Sequence, residues 1–252
     1  MRIYSTENPL ALGQAAAQEA AQLLNQSIER AGRARLVVST GASQFETLEA
    51  LVSLSVDWKR VTMFHLDEYL GISQSHPASF RRYLRERLLD HVDMGETYLI
   101  EGDRKDPTSL LLELTTVIRE QPIDVGLIGI GENAHIAFND PPADFSTTQA
   151  YRIVTLDEAC RRQQVGEGWF DSIEDVPSQA ISMTVYQILE CRAVISSVPH
   201  KRKAEAVRKM LTSEETPWVP ATALKKHPRW SLYLDRDSSS ALNDVPVEIV
   251  RL

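Results

Sequence analysis

Residues 124–135 read DVGLIGIGENAH, and this stretch decides the fold class. An apolar run over residues 125–130 predicts a strand that leads directly into a Gly-x-Gly turn. Because the run does not alternate apolar and polar side chains, it predicts a strand buried on both faces, as in a parallel sheet covered by helices. Five other segments predict strands of the same kind, at residues 36–39, 61–65, 97–100, 193–197 and 231–234.

Helical patterns alternate with these predicted strands. They lie near residues 10–32, 45–54, 78–89, 107–120, 185–190 and 202–211. The alternation predicts an α/β fold, a Rossmann-like three-layer domain whose mainly parallel sheet is flanked by helices. Since no repeat and no Pro/Gly/Ser-rich linker divides the chain, we expect residues 1–252 to form a single domain.

The amino-acid composition argues against several classes of function. The 252 residues carry a formal net charge of −8, which argues against a general nucleic-acid binder because such a protein needs a basic face. No run of roughly 18 apolar residues predicts a membrane span, and the first residues lack the features of a signal peptide. Cys160 and Cys191 form neither a CxxC pair nor a Cys/His cluster along the chain, so we expect two reduced structural thiols and a cytoplasmic protein.

The turn after the first predicted strand, residues 38–44 (VSTGASQ), is a candidate phosphate site. Gly41 permits a tight turn, Thr40 and Ser43 supply hydroxyls, and the following helix offers free N–H groups and the positive end of its dipole. A plain strand–helix turn with Ser43 as N-cap explains the same residues. The segment is not a Walker A loop, because no Gly-Lys-[Ser/Thr] follows.

An acidic pair, Asp67 and Glu68, follows the strand predicted at residues 61–65. Partial burial would raise the pKa of one carboxyl and make it a useful general base. The alternative is that these side chains only cap or salt-bridge a loop.

His135 and Asp140 follow the Gly-x-Gly turn. The imidazole titrates near neutrality, and Asp140 is placed to orient it or tune its charge. A buried structural histidine is the alternative. Residues 129–134 also match a loose GxGxxA dinucleotide pattern, a weak signal because that fingerprint usually opens the first strand–helix turn.

A basic cluster, residues 200–206 (HKRKAEA), lies between a predicted strand and a predicted helix. Cations at a helix N-terminus oppose the helix dipole, so a bound anion would offset the repulsion. A solvated basic surface is the alternative.

Together these segments resemble the deaminase branch of the glucosamine-6-phosphate isomerase/6-phosphogluconolactonase superfamily. Residues 129–141 (GIGENAHIAFNDP) are similar to its Gly-x-Gly-x-Asp-Gly-His-Ile-Ala-Phe-Asn-Glu-Pro, and residues 66–71 (LDEYLG) to its Met-Asp-Glu-Tyr-x-Gly. Residues 40–44 resemble its Thr-Gly-x-Thr-Pro loop, residues 203–204 its Lys-Ala pair, and residues 220–228 its late Pro-Ala-Ser-x-Leu…His-Pro element. At the two catalytic segments, the lactonases of the superfamily have motifs similar to Asp-Glu-Arg and Gly-His-Thr-Ala-Ser-Leu-Phe. This chain has Asp-Glu-Tyr at residues 67–69 and His-Ile-Ala-Phe-Asn at residues 135–139, so its resemblance is to the deaminases.

The resemblance implies a hydrolase/isomerase that converts glucosamine 6-phosphate, or a close amino-sugar phosphate, to fructose 6-phosphate and ammonia. Asp67 would move a proton between C2 and C1 of the opened sugar, and His135 would assist ring opening. Asp140 stands where the family has a glutamate that tunes the histidine, and Asn133 stands where it has an aspartate. The phosphate would be held by Thr40, Gly41, Ala42, Ser43 and Lys203.

The resemblance implies no cofactor and no metal site. The expected partner is a small-molecule sugar phosphate, with no nucleic acid and no membrane, and a homo-oligomer is compatible with the sequence. The family's phosphate-binding arginine is Gly168 here, and Arg161 or Arg162 are candidates to replace it. A lactonase, another sugar-phosphate isomerase and a non-catalytic sugar-phosphate sensor are the alternative functions.

Overall fold

A computed structural model describes residues 1–166 and 168–252. The strands are β1 (Arg2–Thr6), β2 (Ala34–Val38), β3 (Val61–His65), β4 (Asp67–Tyr69), β5 (Glu96–Tyr98), β6 (Val125–Leu127), β7 (Tyr151–Thr155), β8 (Gln179–Met183), β9 (Val194–Val198), β10 (Trp230–Asp235) and β11 (Val250–Arg251). The α-helices are α1 (Pro9–Ala31), α2 (Phe45–Val52), α3 (Phe80–Leu84), α4 (Pro107–Arg119), α5 (Glu158–Gly166), α6 (Val185–Leu189) and α7 (Ala204–Thr212). A π-helical turn at Arg85–Leu89 extends α3, and 3-10 turns lie at Ala42–Gln44, Trp58–Arg60, Lys201–Lys203 and Pro220–Lys226.

The main sheet has eight strands in the order β11-β1-β10-β9-β6-β2-β3-β5, and every neighbouring pair is parallel. The predicted α/β class and the parallel sheet are therefore confirmed. A second sheet, antiparallel and in the order β4-β8-β7, was not predicted.

Helices cover both faces of the main sheet, as the three-layer prediction requires. Alternate side chains of β2 illustrate the division: Leu36 and Val38 pack with α1, α2 and α3, whereas Val37 packs with α4, α6 and α7. Helices α1 and α2 cross closely at Gly13. A Cβ added at this position would lie only 2.5 Å from the Glu46 carbonyl carbon. In the part of the chain that the structure describes, no helix is both long and apolar enough to cross a membrane.

Several elements lie outside the sequence prediction, and each has a local reason. The edge strand β11 and its neighbour β1 are short and partly exposed, and β4 carries two carboxylates in three residues. Helix α5 has a strongly polar sequence, EACRRQQVG, with no wide apolar stripe. Predicted bounds elsewhere shift by a few residues; the strand expected over residues 125–130 ends at Leu127, although Ile128 N–H still donates to the Ile195 carbonyl at 2.9 Å.

The order of the central strands positions the candidate site. Strands β9, β6, β2 and β3 are consecutive neighbours and run in the same direction. The loops after their carboxyl ends therefore meet at one edge of the sheet, which is where open α/β sheets bind ligands.

Candidate active site

The loops at this edge line a pocket of about 620 Å³, a volume that includes the space at its open mouth. The pocket brings together most of the residues singled out in the sequence. It is lined by Ser39, Thr40, Gly41, Ala42, Ser43, Leu66, Asp67, Phe80, Gly129, Ile130, Gly131, His135, Ala137, Phe138, Gln163, Gln164, Trp169, Arg202 and Lys203.

Hydrogen bonds from neighbouring elements hold the turn after β2. The Ser39 hydroxyl accepts from Gly129 N–H at 3.1 Å, and the Tyr83 hydroxyl donates to the Gly41 carbonyl at 2.9 Å. Gly41 has φ +100°, a backbone conformation that only glycine adopts readily. Ser43 lies inside the 3-10 turn that follows and caps no helix with its side chain, so its suggested role as N-cap is wrong.

The basic turn after β9 supplies two cations to the same pocket. Lys203 is buried, so a wholly solvated basic surface is the wrong interpretation for this residue. Arg202 also lines the pocket, with its Nε 3.5 Å from Glu132 Oε1. Sequence reasoning missed Arg202 as a pocket residue, although its place beside Lys203 was a usable signal.

Arg161 and Arg162 do not replace the family's arginine in this structure. The Arg161 guanidinium donates to the Ile173 carbonyl, and Arg162 pairs with Glu158 one helical turn away. Neither side chain lines the pocket.

The acidic pair divides into two different roles. Glu68 is fully buried and accepts hydrogen bonds from the N–H groups of Tyr69 (3.0 Å), Phe80 (3.2 Å) and Arg81 (2.9 Å) and from the Ser79 hydroxyl (2.8 Å). The Arg81 Nε lies 3.5 Å from the same carboxylate. Glu68 thus satisfies free N–H groups at the start of α3, so the capping alternative applies to Glu68.

Asp67 faces the pocket instead. It is 6% exposed, and burial together with the neighbouring charge of Glu68 raises the pKa of Asp67 to about 8. A carboxyl group with this pKa exchanges a proton near neutral pH, which is the property required of a general base.

His135 is held by two side chains from its own loop. Its Nδ1 lies 2.8 Å from Asp140 Oδ1, and the Asn133 amide donates to the same oxygen at 3.2 Å. The Asn133 carbonyl oxygen accepts from His135 N–H at 3.0 Å. Burial alone would raise the pKa of Asp140, but the hydrogen bonds from His135 and Asn133 and the charge of His135 hold it below its usual value.

Gly131 is required by the histidine. A Cβ added at this position would lie 2.3 Å from His135 Nε2 and within 2.5 Å of two ring carbons. Gly129 and Gly131 both line the pocket, and the side of Gly131 that a Cβ would occupy faces the imidazole ring. Residues 128–150, between β6 and β7, contain no helix, so the loose GxGxxA match lacks the helix N-terminus that a dinucleotide pyrophosphate binds.

Helix α5 brings Cys160, Gln163 and Gln164 next to this loop. Gln163 and Gln164 line the pocket, and the Cys160 sulfur lies within 4.8 Å of ligand atoms of both His135 and Asp140. Cys160 thus lies beside His135 and Asp140 in the folded protein, although it is some twenty residues away from them along the chain. Both cysteines are free and buried, as expected.

Known proteins resemble this chain over most of its length and identify its family. A family model described as glucosamine-6-phosphate isomerases/6-phosphogluconolactonase matches residues 7–232. The chain belongs to this family. A glucosamine-6-phosphate deaminase of Exiguobacterium sibiricum is 36% identical over 224 residues, which cover 88% of this chain and 87% of the relative. One from Lactobacillus delbrueckii subsp. bulgaricus is 30% identical over 242 residues, covering 96% and 100%.

Solved structures of the glucosamine-6-phosphate isomerase/6-phosphogluconolactonase family share the fold. A monomeric glucosamine-6-phosphate deaminase matches with a TM-score of 0.88 and 29% identity, covering 96% of this chain and 100% of its own. A 6-phosphogluconolactonase from Shewanella baltica matches with a TM-score of 0.77 and 20% identity, covering 93% and 97%, which is a likeness of fold alone.

Glu68 offers a test of how the site is held. The substitution Glu68→Gln removes the charge beside Arg81 and leaves buried N–H groups short of acceptors, so we expect unfolding free energy to fall by about 3–5 kcal/mol. Urea denaturation measures the change. Glu113→Gln is the control, because Glu113 pairs with Arg104 at the exposed surface and its loss should change little. Equal changes in the two variants would contradict the anchoring role of Glu68.

Proposed function

We propose that this protein is a glucosamine-6-phosphate deaminase, an isomerase-type enzyme that converts glucosamine 6-phosphate and water to fructose 6-phosphate and ammonia. One observation carries the proposal: a buried carboxyl with a pKa of about 8, Asp67, shares a pocket with His135 and with a turn suited to phosphate. The similarity to two proteins named glucosamine-6-phosphate deaminase supports the choice of substrate.

The substrate's phosphate belongs at the turn after β2. The residues proposed to hold it are Thr40, Gly41, Ala42, Ser43 and Lys203. Backbone N–H groups near a helix start and two hydroxyls suit a phosphate dianion, and Lys203 with Arg202 supplies positive charge. Fixing the phosphate places the sugar's reacting carbons near Asp67 and His135, and this positioning lowers the entropic part of the barrier.

The chemical steps follow from the two side chains that can move protons, Asp67 and His135. Ring opening breaks the C1–O5 bond; His135, held by Asp140 and Asn133, takes the proton from the O1 hydroxyl and delivers one to O5. Asp67 then removes the proton from C2 and returns it to C1, while a proton passes from the amine to O1. The resulting C2 imine adds water and releases ammonia, leaving the ketone of fructose 6-phosphate.

Asp67→Asn tests the proposed base. The amide cannot accept the C2 proton, so ammonia release should fall by roughly 10²–10⁴-fold, the usual contribution of general base catalysis. A coupled ammonia assay on glucosamine 6-phosphate measures the rate. Asp93→Asn is the control, since Asp93 only pairs with the exposed Lys59.

The same assays separate the alternatives. Undiminished ammonia release by Asp67→Asn would reject Asp67 as the base. Turnover of 6-phosphogluconolactone without ammonia release from the amino sugar would identify a lactonase. Thermal stabilisation by sugar phosphates without any turnover would identify a sensor, because a ligand that binds only the folded state raises its stability.

The pKa of Asp67 predicts the pH dependence. The base must be ionised, so kcat/KM should rise with pH until about pH 8 and fall below it as Asp67 takes up a proton. The raised pKa also means that this group stabilises the fold fully below its unfolded pKa of 3.8 and that the contribution is lost as pH rises through 8. A steady-state profile of kcat/KM across the neutral and mildly alkaline range measures the pH at which activity falls. If kcat/KM falls at pH ~6 instead, the group that titrates is the substrate's phosphate.

Arg202 predicts an effect on substrate binding. Arg202→Gln should raise KM about tenfold or more with little change in kcat, because a hydrogen bond to a charged group contributes roughly 1.5–3 kcal/mol. Arg202→Lys should recover part of the loss. Lys201→Gln is the matched control from the same turn, since Lys201 does not line the pocket. An unchanged KM in Arg202→Gln would remove this residue from the phosphate subsite.

We also propose that residues 1–252 act as one domain in the cytoplasm. Strand β1 pairs with both β10 and β11, so segments from the two ends of the chain share one sheet. The two free, buried cysteines suit a reducing compartment.

A further inference from the structure

Cys160 contributes a third kind of donor atom beside His135 and Asp140. One ligand atom from each residue (an imidazole nitrogen, a carboxylate oxygen and the Cys160 sulfur) lies within 4.8 Å of the other two. Cys160 is 1% exposed, so its side chain is buried and not at the protein surface. The catalytic steps proposed above do not use the thiol.

We propose that His135, Asp140 and Cys160 form a binding site for a thiophilic divalent metal ion such as Zn²⁺, and that its occupation inhibits the enzyme. The binding part of this proposal is independent of the proposed function, and only the inhibition rests on it. Nitrogen, oxygen and sulfur donors of these three types are the protein ligands that Zn²⁺ prefers.

The spacing fits a small tetrahedral ion. Metal–ligand bonds of about 2.0–2.3 Å at tetrahedral angles place neighbouring ligand atoms about 3.5 Å apart. His135 Nδ1 and Asp140 Oδ1 are 2.8 Å apart, and all three donors lie within 4.8 Å of one another, so shifts of about an ångström suffice. A second donor atom, Asp140 Oδ2, is buried and lies outside the hydrogen bonds that His135 and Asn133 make to Oδ1.

The charges of the three ligands match a dication. Burial and the negative charge of Asp140 raise the pKa of the Cys160 thiol, so without a metal the sulfur stays protonated. A bound Zn²⁺ reverses that balance because a coordinating thiol loses its proton. One thiolate, one carboxylate and one neutral imidazole then neutralise the ion, and one proton is released to solvent.

The site adjoins the pocket through one of its three ligands. His135 lines the pocket, whereas Asp140 and Cys160 are not among its lining residues. Occupation separates His135 from Asp140, which removes the hydrogen bond that orients the imidazole.

Titration with Co²⁺ and Zn²⁺ tests the binding. The wild-type protein should bind one Co²⁺ with a thiolate-to-cobalt charge-transfer band and with release of one proton, and Zn²⁺ should then displace the cobalt and abolish the band. Cys160→Ser should lose the band and weaken Zn²⁺ binding by more than the roughly 10–100-fold cost of removing an outer-sphere partner. Cys191→Ser is the matched control, because Cys191 is also buried and free but lies outside this cluster. Equal Zn²⁺ affinity in wild type and Cys160→Ser, or a band that depends on Cys191, would overturn the proposal.

Inhibition is measured against each variant's own metal-free rate. Zn²⁺ should suppress ammonia release by wild type and by Cys191→Ser, and a chelator should restore it, whereas Cys160→Ser should resist the same concentration. If the protein releases no ammonia at all, the proposed function fails and the cobalt band still decides the metal site. Equal inhibition of all three proteins would reject Cys160 as a ligand.

Discussion

The buried carboxylate of Glu68 is the constraint on which the candidate site depends. A charge removed from water must be compensated by hydrogen bonds and an opposite charge, and here Ser79, Arg81 and three backbone N–H groups provide both. Strand β4 and the start of α3 are thereby fixed to each other. Asp67, one residue earlier in β4, takes its position from that anchor.

The same anchor sets the chemistry of Asp67. Burial is the larger cause that raises the pKa of Asp67 to about 8, and the charge of the neighbouring Glu68, held in place by hydrogen bonds, adds to it. A carboxyl on a solvated loop would stay ionised with an ordinary pKa. Glu68 thus has a structural role, and its charge also helps to raise the pKa of the adjacent Asp67.

The pocket is assembled by loops that brace one another across the sheet edge. Gln44 donates to the Ser197 carbonyl at 3.2 Å, and Thr47 donates to the Ser197 hydroxyl at 2.8 Å, which joins the turn after β2 to the end of β9. Ser39 joins that turn to the loop after β6. Hydrogen bonds of this kind between loops hold the binding groups in place before a ligand arrives, so less conformational entropy is lost on binding.

The departures from the family pattern are accommodated locally. Asp140 has a shorter side chain than the family's glutamate, yet it reaches His135 at 2.8 Å, and the Asn133 amide joins the same oxygen. Ala134 stands where the family has glycine and holds φ +66°, a left-handed conformation that costs an alanine roughly 1–2 kcal/mol. Three residues of the loop thus differ in type from the family pattern, and His135 is still hydrogen-bonded to both Asp140 and Asn133.

The sequence alone determined the class of the fold and the location of the site. Apolar runs without alternation are a local signature of doubly covered parallel strands, and turns after such strands share one edge, so residues 40–43, 67, 135 and 203 could be predicted to converge. The edge strand β11, its neighbour β1 and the polar helix α5 were not predictable, because their stability comes from pairing and packing and not from local pattern. Only the tertiary structure decided that Glu68 caps a helix while Asp67 faces the pocket, that Arg202 and not Arg161 lines it, and that Cys160 lies beside His135. Desolvation and Coulomb energies depend on distances between residues far apart in the chain, and no spacing along a sequence contains those distances.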